Sequence, residues 1–159
     1  MQVKDIILEA GGEPIYYFAY GMLTDPNMMP GAEFIGPAVL QNYAYEFARF
    51  ANVYERGGSS VDGVLWELPT DYIRELDAVE GYPRFYGRKT VPVISGGKRY
   101  EAWVYYMTPA ARESLDGDLP SMNYVRSILN GFRHAGITPQ QVSDAYYDLA
   151  DMYQPRSGK

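Results

Sequence analysis

Hydrophobic and polar positions change period several times along this chain, and each change predicts an element. "IYYFAY", residues 15–20, is apolar and aromatic throughout and runs into Gly21, the pattern of a buried strand. "MLTDPNMMPGAEF" follows, with two prolines and the turn formers Asp25 and Asn27, and predicts a loop. From Leu40 onward, residues 38–51 ("AVLQNYAYEFARFA") alternate with period two. Leu40, Asn42, Ala44, Glu46, Ala48 and Phe50 share one side, and Gln41, Tyr43, Tyr45, Phe47 and Arg49 the other. The alternation predicts one long or bent strand. "RGGSS", residues 56–60, predicts a flexible turn, and "VDGVLWEL", residues 61–68, a further strand.

The period then becomes helical. "PTDYIRELDAVEG" predicts a short helix after Pro69. "YGRKTVPVI" and "KRYEAWVYYM" predict two strands joined at Ser95, Gly96 and Gly97, a hairpin signal. "PSMNYVRSILNGFRHAG" predicts a helix with Ser121 as N-cap, a stripe of Val125, Ile128, Leu129 and Phe132, and Gly136 as its stop. In the last helix Thr138 is placed as cap, Pro139 in the first turn and Gln141 as the partner in a capping box. Val142, Tyr146, Leu149 and Tyr153 form its buried face. The order is strands, a helix, a hairpin, then two helices. Crossover helices do not separate the strands, so a doubly wound sheet is disfavoured. The expected fold is α+β: one domain over residues 1–159, a small mixed or antiparallel barrel-like sheet with flanking helices.

Composition narrows the chemistry. A chain of 159 residues can bury about 70% of its unfolded surface. Its net charge of −6 and pI near 4.8 disfavour nucleic-acid and anionic-membrane partners, which require clustered Lys and Arg. No apolar run approaches the roughly 20 residues of a membrane span, and "MQVKDIILEAGGEP" lacks a signal-peptide core. A soluble cytoplasmic protein is expected. Cysteine is absent, which removes disulfides, thiolate nucleophiles and Cys-ligated metals. The single histidine, His134, falls about 180° from Val125 on a helical wheel, opposite the apolar stripe. It reads as a solvated surface side chain and not as a member of a Ser-His-Asp triad. Carboxylates and the 16 tyrosines must carry the proton chemistry of any enzyme built from this chain.

Glu80 is the candidate. With Tyr72 at zero on the wheel, Val79, Leu76 and Ile73 lie at about −20°, 40° and 100°, and Glu80 at about 80°, within the apolar arc. It also sits in the last turn, just before Gly81. Burial and the negative end of the helix dipole both raise a carboxyl pKa, as general acid–base work requires. The competing reading is that the helix unwinds at Gly81 and Glu80 meets water. Tyr86, across the turn-forming "GYPRF", is close enough in sequence to share a pocket with Glu80 or to be a core aromatic. "GGSSVDG" lacks Walker spacing and reads as a linker turn.

Taken together, these segments resemble the γ-glutamylcyclotransferase (AIG2-like) family. "YFAYG", residues 17–21, looks like the family's opening strand and substrate loop, and "GVLWEL", residues 63–68, like its central strand. "LDAVEGYPRFYGR", residues 76–88, resembles the segment with the catalytic glutamate and a tyrosine six residues on. "PSMNYVRSILNGFRHAGI", residues 120–137, resembles the C-terminal helix of the longer members. The resemblance runs over about residues 16–139.

By position, the resemblance implies that Glu80 is the catalytic acid and base. It implies that the segment of Tyr17, Phe18, Ala19, Tyr20, Gly21, Met22 and Leu23 cradles the α-carboxylate and amine of a glutamyl group. Tyr86 and Tyr124 match tyrosines that line the same cavity. Gly21 would let the backbone approach a small charged ligand, with Tyr20 at the pocket rim. The chain departs from the family at Met22, where Ser or Thr is usual; Leu23 follows the Thr-Leu variant.

The activity so implied is an intramolecular acyl transfer that needs no metal or cofactor. The substrate is a γ-glutamyl amide, and the products are 5-oxoproline and a free amine or amino acid. Two alternatives use the same residues: removal of a γ-glutamyl group in a biosynthetic pathway, and a non-catalytic module that binds γ-glutamyl ligands. The leaving amine and the oligomeric state are open at this level.

Overall fold

The computed structural model describes residues 12–153, and its centre is a closed five-stranded barrel. β1 (Ile15–Ala19), β2 (Glu33–Ala48), β3 (Phe50–Leu68), β4 (Tyr86–Ser95) and β5 (Lys98–Met107) are arranged in the order β1-β3-β2-β4-β5. All pairs are antiparallel except β1 with β5, which run parallel at Tyr17 and Trp103 and close the barrel. The sheet is therefore mixed, as expected.

The aromatics of β1 are divided by strand alternation. Phe18 and Tyr20 join Leu40, Val61, Leu65, Val93 and Val104 in one buried cluster. Tyr17 and Ala19 join Val64, Trp66, Leu68 and Tyr105 in a second. A strand buried on both faces needs apolar residues at every position, which is why "IYYFAY" shows no polar alternation.

Two expectations about the long strands are corrected. Residues 38–51 are not one strand. β2 ends at Ala48, the chain reverses at Arg49 (φ 60), and Ala48 pairs with Phe50 at the start of β3. So tight a reversal keeps the period-two pattern intact and leaves no turn residue to read. Nor is "RGGSS" a free turn: it lies within β3, opposite an irregularity in β2. The register steps from Gln41↔Ser60 to Tyr43↔Glu55, Asn42 (φ 65) fills the step, and its Oδ1 accepts the Gly58 N–H at 3.2 Å. This bulge also switches faces. Before it, Ala38 and Leu40 point into the first cluster; after it, Tyr43 and Phe47 do.

Among the described residues, four α-helices flank the barrel: α1 (Tyr72–Glu80), α2 (Pro109–Ser114), α3 (Met122–His134) and α4 (Gln140–Tyr153). α2 is an addition to the expected elements. Thr108 caps it by accepting the Ala111 N–H, and Pro109 opens it. α3 begins at Ser121, which accepts the Tyr124 N–H, and its stop follows at Gly136 (φ 75). Val125, Ile128 and Phe132 are buried against the barrel, and Leu129 packs at its margin. His134 is exposed, its ring 5.1 Å from that of Phe34.

α4 lays Val142, Tyr146 and Leu149 on the first cluster; the side chain of Tyr153 lies outside the described residues. The expected capping box is replaced by a longer-range contact. Gln141 accepts the Asp62 N–H at 2.7 Å and donates to the Asp62 carbonyl at 2.9 Å, which ties α4 to β3. Among the described residues, no helix is long and apolar enough to cross a membrane.

Candidate active site

The end of β1, the tip of the β2–β3 hairpin, the C-terminus of α1 and the first turn of α3 converge on a cavity of about 390 Å³. This lies within the range of small-molecule sites, roughly 300–1,000 Å³. Among the described residues, Glu80 is the only carboxyl in its lining, and no lysine, arginine or histidine is there.

α1 delivers Glu80 through its last turn. Gly81 takes the left-handed conformation (φ 67, ψ 36), its N–H caps Ala78 and Asp77 carbonyls, and the Tyr82 N–H bonds Asp77 at 2.9 Å. The helix thus keeps its geometry through Glu80, and the alternative of an unwound end does not hold. The expected apolar arc, however, is only partly core. Leu76 is buried, whereas Val79 is 62% exposed and forms part of the cavity lining.

Asp77, one turn before Glu80, anchors the helix. It accepts from Tyr105 Oη at 2.6 Å and from Arg88 at 2.9 and 3.3 Å. Arg88 in turn lies over the rings of Tyr82 and Trp103.

Glu80 has no hydrogen-bond or ion-pair partner among the described residues. It keeps some accessible surface because it faces the cavity, but protein crowds the carboxyl itself. That burial pushes its pKa from 4.5 up to about 7.

Five tyrosines share the cavity: Tyr17, Tyr20, Tyr86, Tyr105 and Tyr124. Burial is the largest cause holding each hydroxyl above its ordinary pKa, and the charge of Glu80 adds to it in all five. They are neutral O–H groups at pH 7. Tyr86 donates to the Ala51 carbonyl at 2.8 Å, and Tyr124 Oη accepts the Ala51 N–H at 2.9 Å, leaving its own proton available to the cavity. Tyr20 donates to the Tyr105 carbonyl at 2.6 Å. It is buried in the wall, deeper than the rim position expected from sequence. Tyr17 Oη makes no hydrogen bond among the described residues.

The turn after β1 is compact. Met22–Thr24 form a 3₁₀ turn, closed by N–H bonds from Thr24 to Gly21 and from Asp25 to Met22. The N–H groups of Met22 and Leu23 have no partner within that turn. Trp66 Nε1 donates to the Leu23 carbonyl and Asn130 to Asp25 Oδ1, so barrel and α3 both hold the turn in place. Gly21 sits in close quarters. A Cβ there would sit 3.1 Å from Tyr124 Oη and 3.3 Å from Ala51 Cβ.

The structure therefore brings Tyr17, Tyr20, Gly21, Met22, Leu23, Glu80, Tyr86 and Tyr124 together. Phe18 and Ala19 lie between these residues in sequence, but their side chains pack in the two clusters and do not line the cavity. Sequence reasoning did not single out Tyr105, Phe50, Ala51, Phe85 or the Asp77–Arg88 pair. Tyr105 was one tyrosine in a run of alternating strand residues, and Phe50 was read as mid-strand, so neither carried a distinguishing signal.

The sequence profile of the family described as γ-glutamyl cyclotransferase, AIG2-like, matches residues 17–126, most of the chain. The chain belongs to this family. A Methanocaldococcus jannaschii protein, provisionally named a γ-glutamylcyclotransferase, is 28% identical over 102 residues, 57% of this chain and 82% of its relative. A solved structure named as a γ-glutamyl cyclotransferase superposes with a TM-score of 0.69 at 23% identity, over 92% of this chain and 93% of the other. The Bacillus subtilis protein YkqA superposes at 0.72 and 23% identity, over 98% of this chain and 60% of the other. These structural likenesses establish the γ-glutamyl cyclotransferase-like fold; Glu80 and the 21–23 turn both lie inside the matched region.

Proposed function

We propose that the chain cyclises γ-glutamyl amides, releasing 5-oxoproline and a free amine. The observation that carries this reading is Glu80: one carboxyl, unpaired among the described residues, on the wall of a tyrosine-rich cavity, with a pKa pushed up to about 7. Such a group is ionised often enough to accept a proton at neutral pH and acidic enough to return it.

The substrate's α-ammonium loses a proton to Glu80. The freed amine attacks the γ-carbonyl carbon, forming the new C–N bond of a five-membered lactam and placing negative charge on the carbonyl oxygen. Collapse breaks the original γ C–N bond. Glu80 carries the proton to the departing nitrogen, and the second proton of the attacking nitrogen follows, so the amine leaves as an ammonium. Nothing is oxidised or reduced, and no water is consumed.

Because the nucleophile belongs to the substrate, the protein's part is to fold the substrate and to stabilise charge. The N–H groups of Met22 and Leu23, which have no partner within the turn, suit the glutamyl α-carboxylate, and Gly21 permits its close approach. Among the cavity tyrosines, Tyr17 and Tyr124 are those whose hydroxyl proton is not already donated to a carbonyl or to Asp77, and they suit the developing oxyanion. The decisive experiment measures 5-oxoproline release from a panel of γ-glutamyl amides by wild type and by Glu80→Gln. Turnover by wild type with loss in the variant supports the reading. Equal release from a folded Glu80→Gln protein overturns it.

A further inference from the structure

Resting on that reading, we infer that the leaving group is an uncharged apolar or aromatic amine, not an amino acid bearing an α-carboxylate. The cavity is graded from inside to outside. Its inner wall is the buried group Tyr17, Tyr20, Tyr86 and Tyr105. Its accessible rim is apolar: Met22, Phe50, Val79 and Phe85. Phe50 is 36% and Val79 62% exposed, yet both turn toward the same mouth. The rings of Phe50 and Phe85 meet edge to face at 6.0 Å, and Phe50 also meets Tyr124 at 5.5 Å.

The glutamyl end is the reacting end and must sit at Glu80. The variable part of the substrate is then left against the rim. An apolar amine there covers surface that is otherwise exposed to water. A carboxylate there loses hydration without gaining a partner.

The cations of this region are placed elsewhere. Arg88 is paired with Asp77 and stacked on Tyr82 and Trp103. Arg49 and Arg84 flank Phe50 and Phe85 in the chain but are not part of the lining. Glu80, the one charged side chain of the wall among the described residues, repels a second carboxylate. The glutamyl α-carboxylate has the N–H groups of the turn; a leaving-group carboxylate has no comparable donor at the rim.

A matched pair of substrates tests this directly. γ-Glutamylphenethylamide and γ-glutamylphenylalanine differ only by the leaving group's carboxylate. The expected result is a kcat/KM at least about 10-fold higher for the phenethylamide, with tighter binding by calorimetry to the Glu80→Gln protein. Val79→Arg, a change at an exposed helical position, should narrow or reverse that ratio by supplying the missing cation. Equal or better turnover of γ-glutamylphenylalanine by wild type overturns the inference while leaving the cyclisation intact. Release of 5-oxoproline from neither compound overturns the cyclisation. The calorimetric comparison then still decides the preference of the rim, and equal affinities overturn it.

Discussion

Glu80 holds its proton to a higher pH in the folded chain than in the unfolded one, and this has two measurable consequences. Unfolded, the carboxyl releases its proton near 4.5; folded, near 7. Between these values the folded state binds more proton than the unfolded, so the contribution of Glu80 to stability falls as pH rises through this window. Glu80→Gln removes the charge but keeps the shape. It should leave stability unchanged below pH 4.5 and raise it by roughly 1–3 kcal/mol above pH 7. Denaturant melts at pH 4 and pH 8 check the sign; a variant less stable than wild type at pH 8 contradicts it. In kinetics, kcat/KM for a γ-glutamyl amide should rise with an apparent pKa of about 7, the form that accepts the α-ammonium proton being the carboxylate. Activity of Glu80→Gln should fall by a factor on the order of 10²–10⁴. Tyr124→Phe removes both the acceptor of the Ala51 N–H and a hydroxyl proton that the Ala51 contact leaves available to the cavity. It should cost about 0.5–1.5 kcal/mol in kcat/KM if its partner is neutral and about 1.5–3 if charged, with Tyr86→Phe affected less because its proton is already spent on Ala51. Kinetics equal to wild type in both variants would make these hydroxyls purely structural.

At the scale of elements, α1 is a short helix with one fully buried apolar side chain, Leu76, and packing alone holds it weakly. Its orientation depends on Asp77, which joins it to β4 through Arg88 and to β5 through Tyr105. A carboxylate one turn from Glu80 that is fastened to two strands sets the direction in which Glu80 points. Asp77→Asn keeps one acceptor but loses the ion pair. It should reduce stability by about 1–3 kcal/mol, charge-assisted bonds being the stronger ones, and should lower kcat more than it raises KM. Thermal melts and steady-state kinetics separate the two effects; an unchanged kcat shows that α1 keeps its aim without the tie. The 22–25 turn is fastened in the same manner, from Trp66 on one side and Asn130 on the other.

Across the whole molecule, the barrel and its C-terminal helices share a core. Phe132 of α3 has no exposed surface and packs in the cluster that contains Phe18, Leu40 and Val104. Phe132→Ala should therefore cost about 3–5 kcal/mol, the range for a large side chain lost from a packed interior. If α3 and barrel unfold together, the midpoint in urea should fall with the slope of the transition unchanged. A reduced slope would mean that α3 detaches before the barrel melts. Since Asn130 and Phe132 belong to the same helix, detachment would also release the cavity-lining turn.

Local pattern determined the elements whose signals lie within a few residues. The hairpin at Gly96 and Gly97, the Ser121 cap, the end of α3 at Gly136 and the inward aim of Glu80 all follow from spacing and helical geometry. The short helix α2 was missed, although Thr108 and Pro109 form an ordinary helix start. Family resemblance, carried by the order of motifs, pointed to the turn after β1 and to Tyr86 and Tyr124. Pairing across the sheet decided the rest. The reversal at Arg49 and the step at Asn42 are invisible to a period of two, because a tight turn preserves alternation and a bulge merely changes its phase. Gln141 had a local partner on paper and a distant one in fact, because only the assembled molecule brings Asp62 to it. Tyr105 became a site residue through the closed barrel alone, which sets β5 beside β1 and lets one tyrosine reach both Asp77 and the cavity. The chemistry of Glu80 divides the same way: its direction is a property of helical spacing, but the pKa near 7 arises from the burial that the folded cavity imposes.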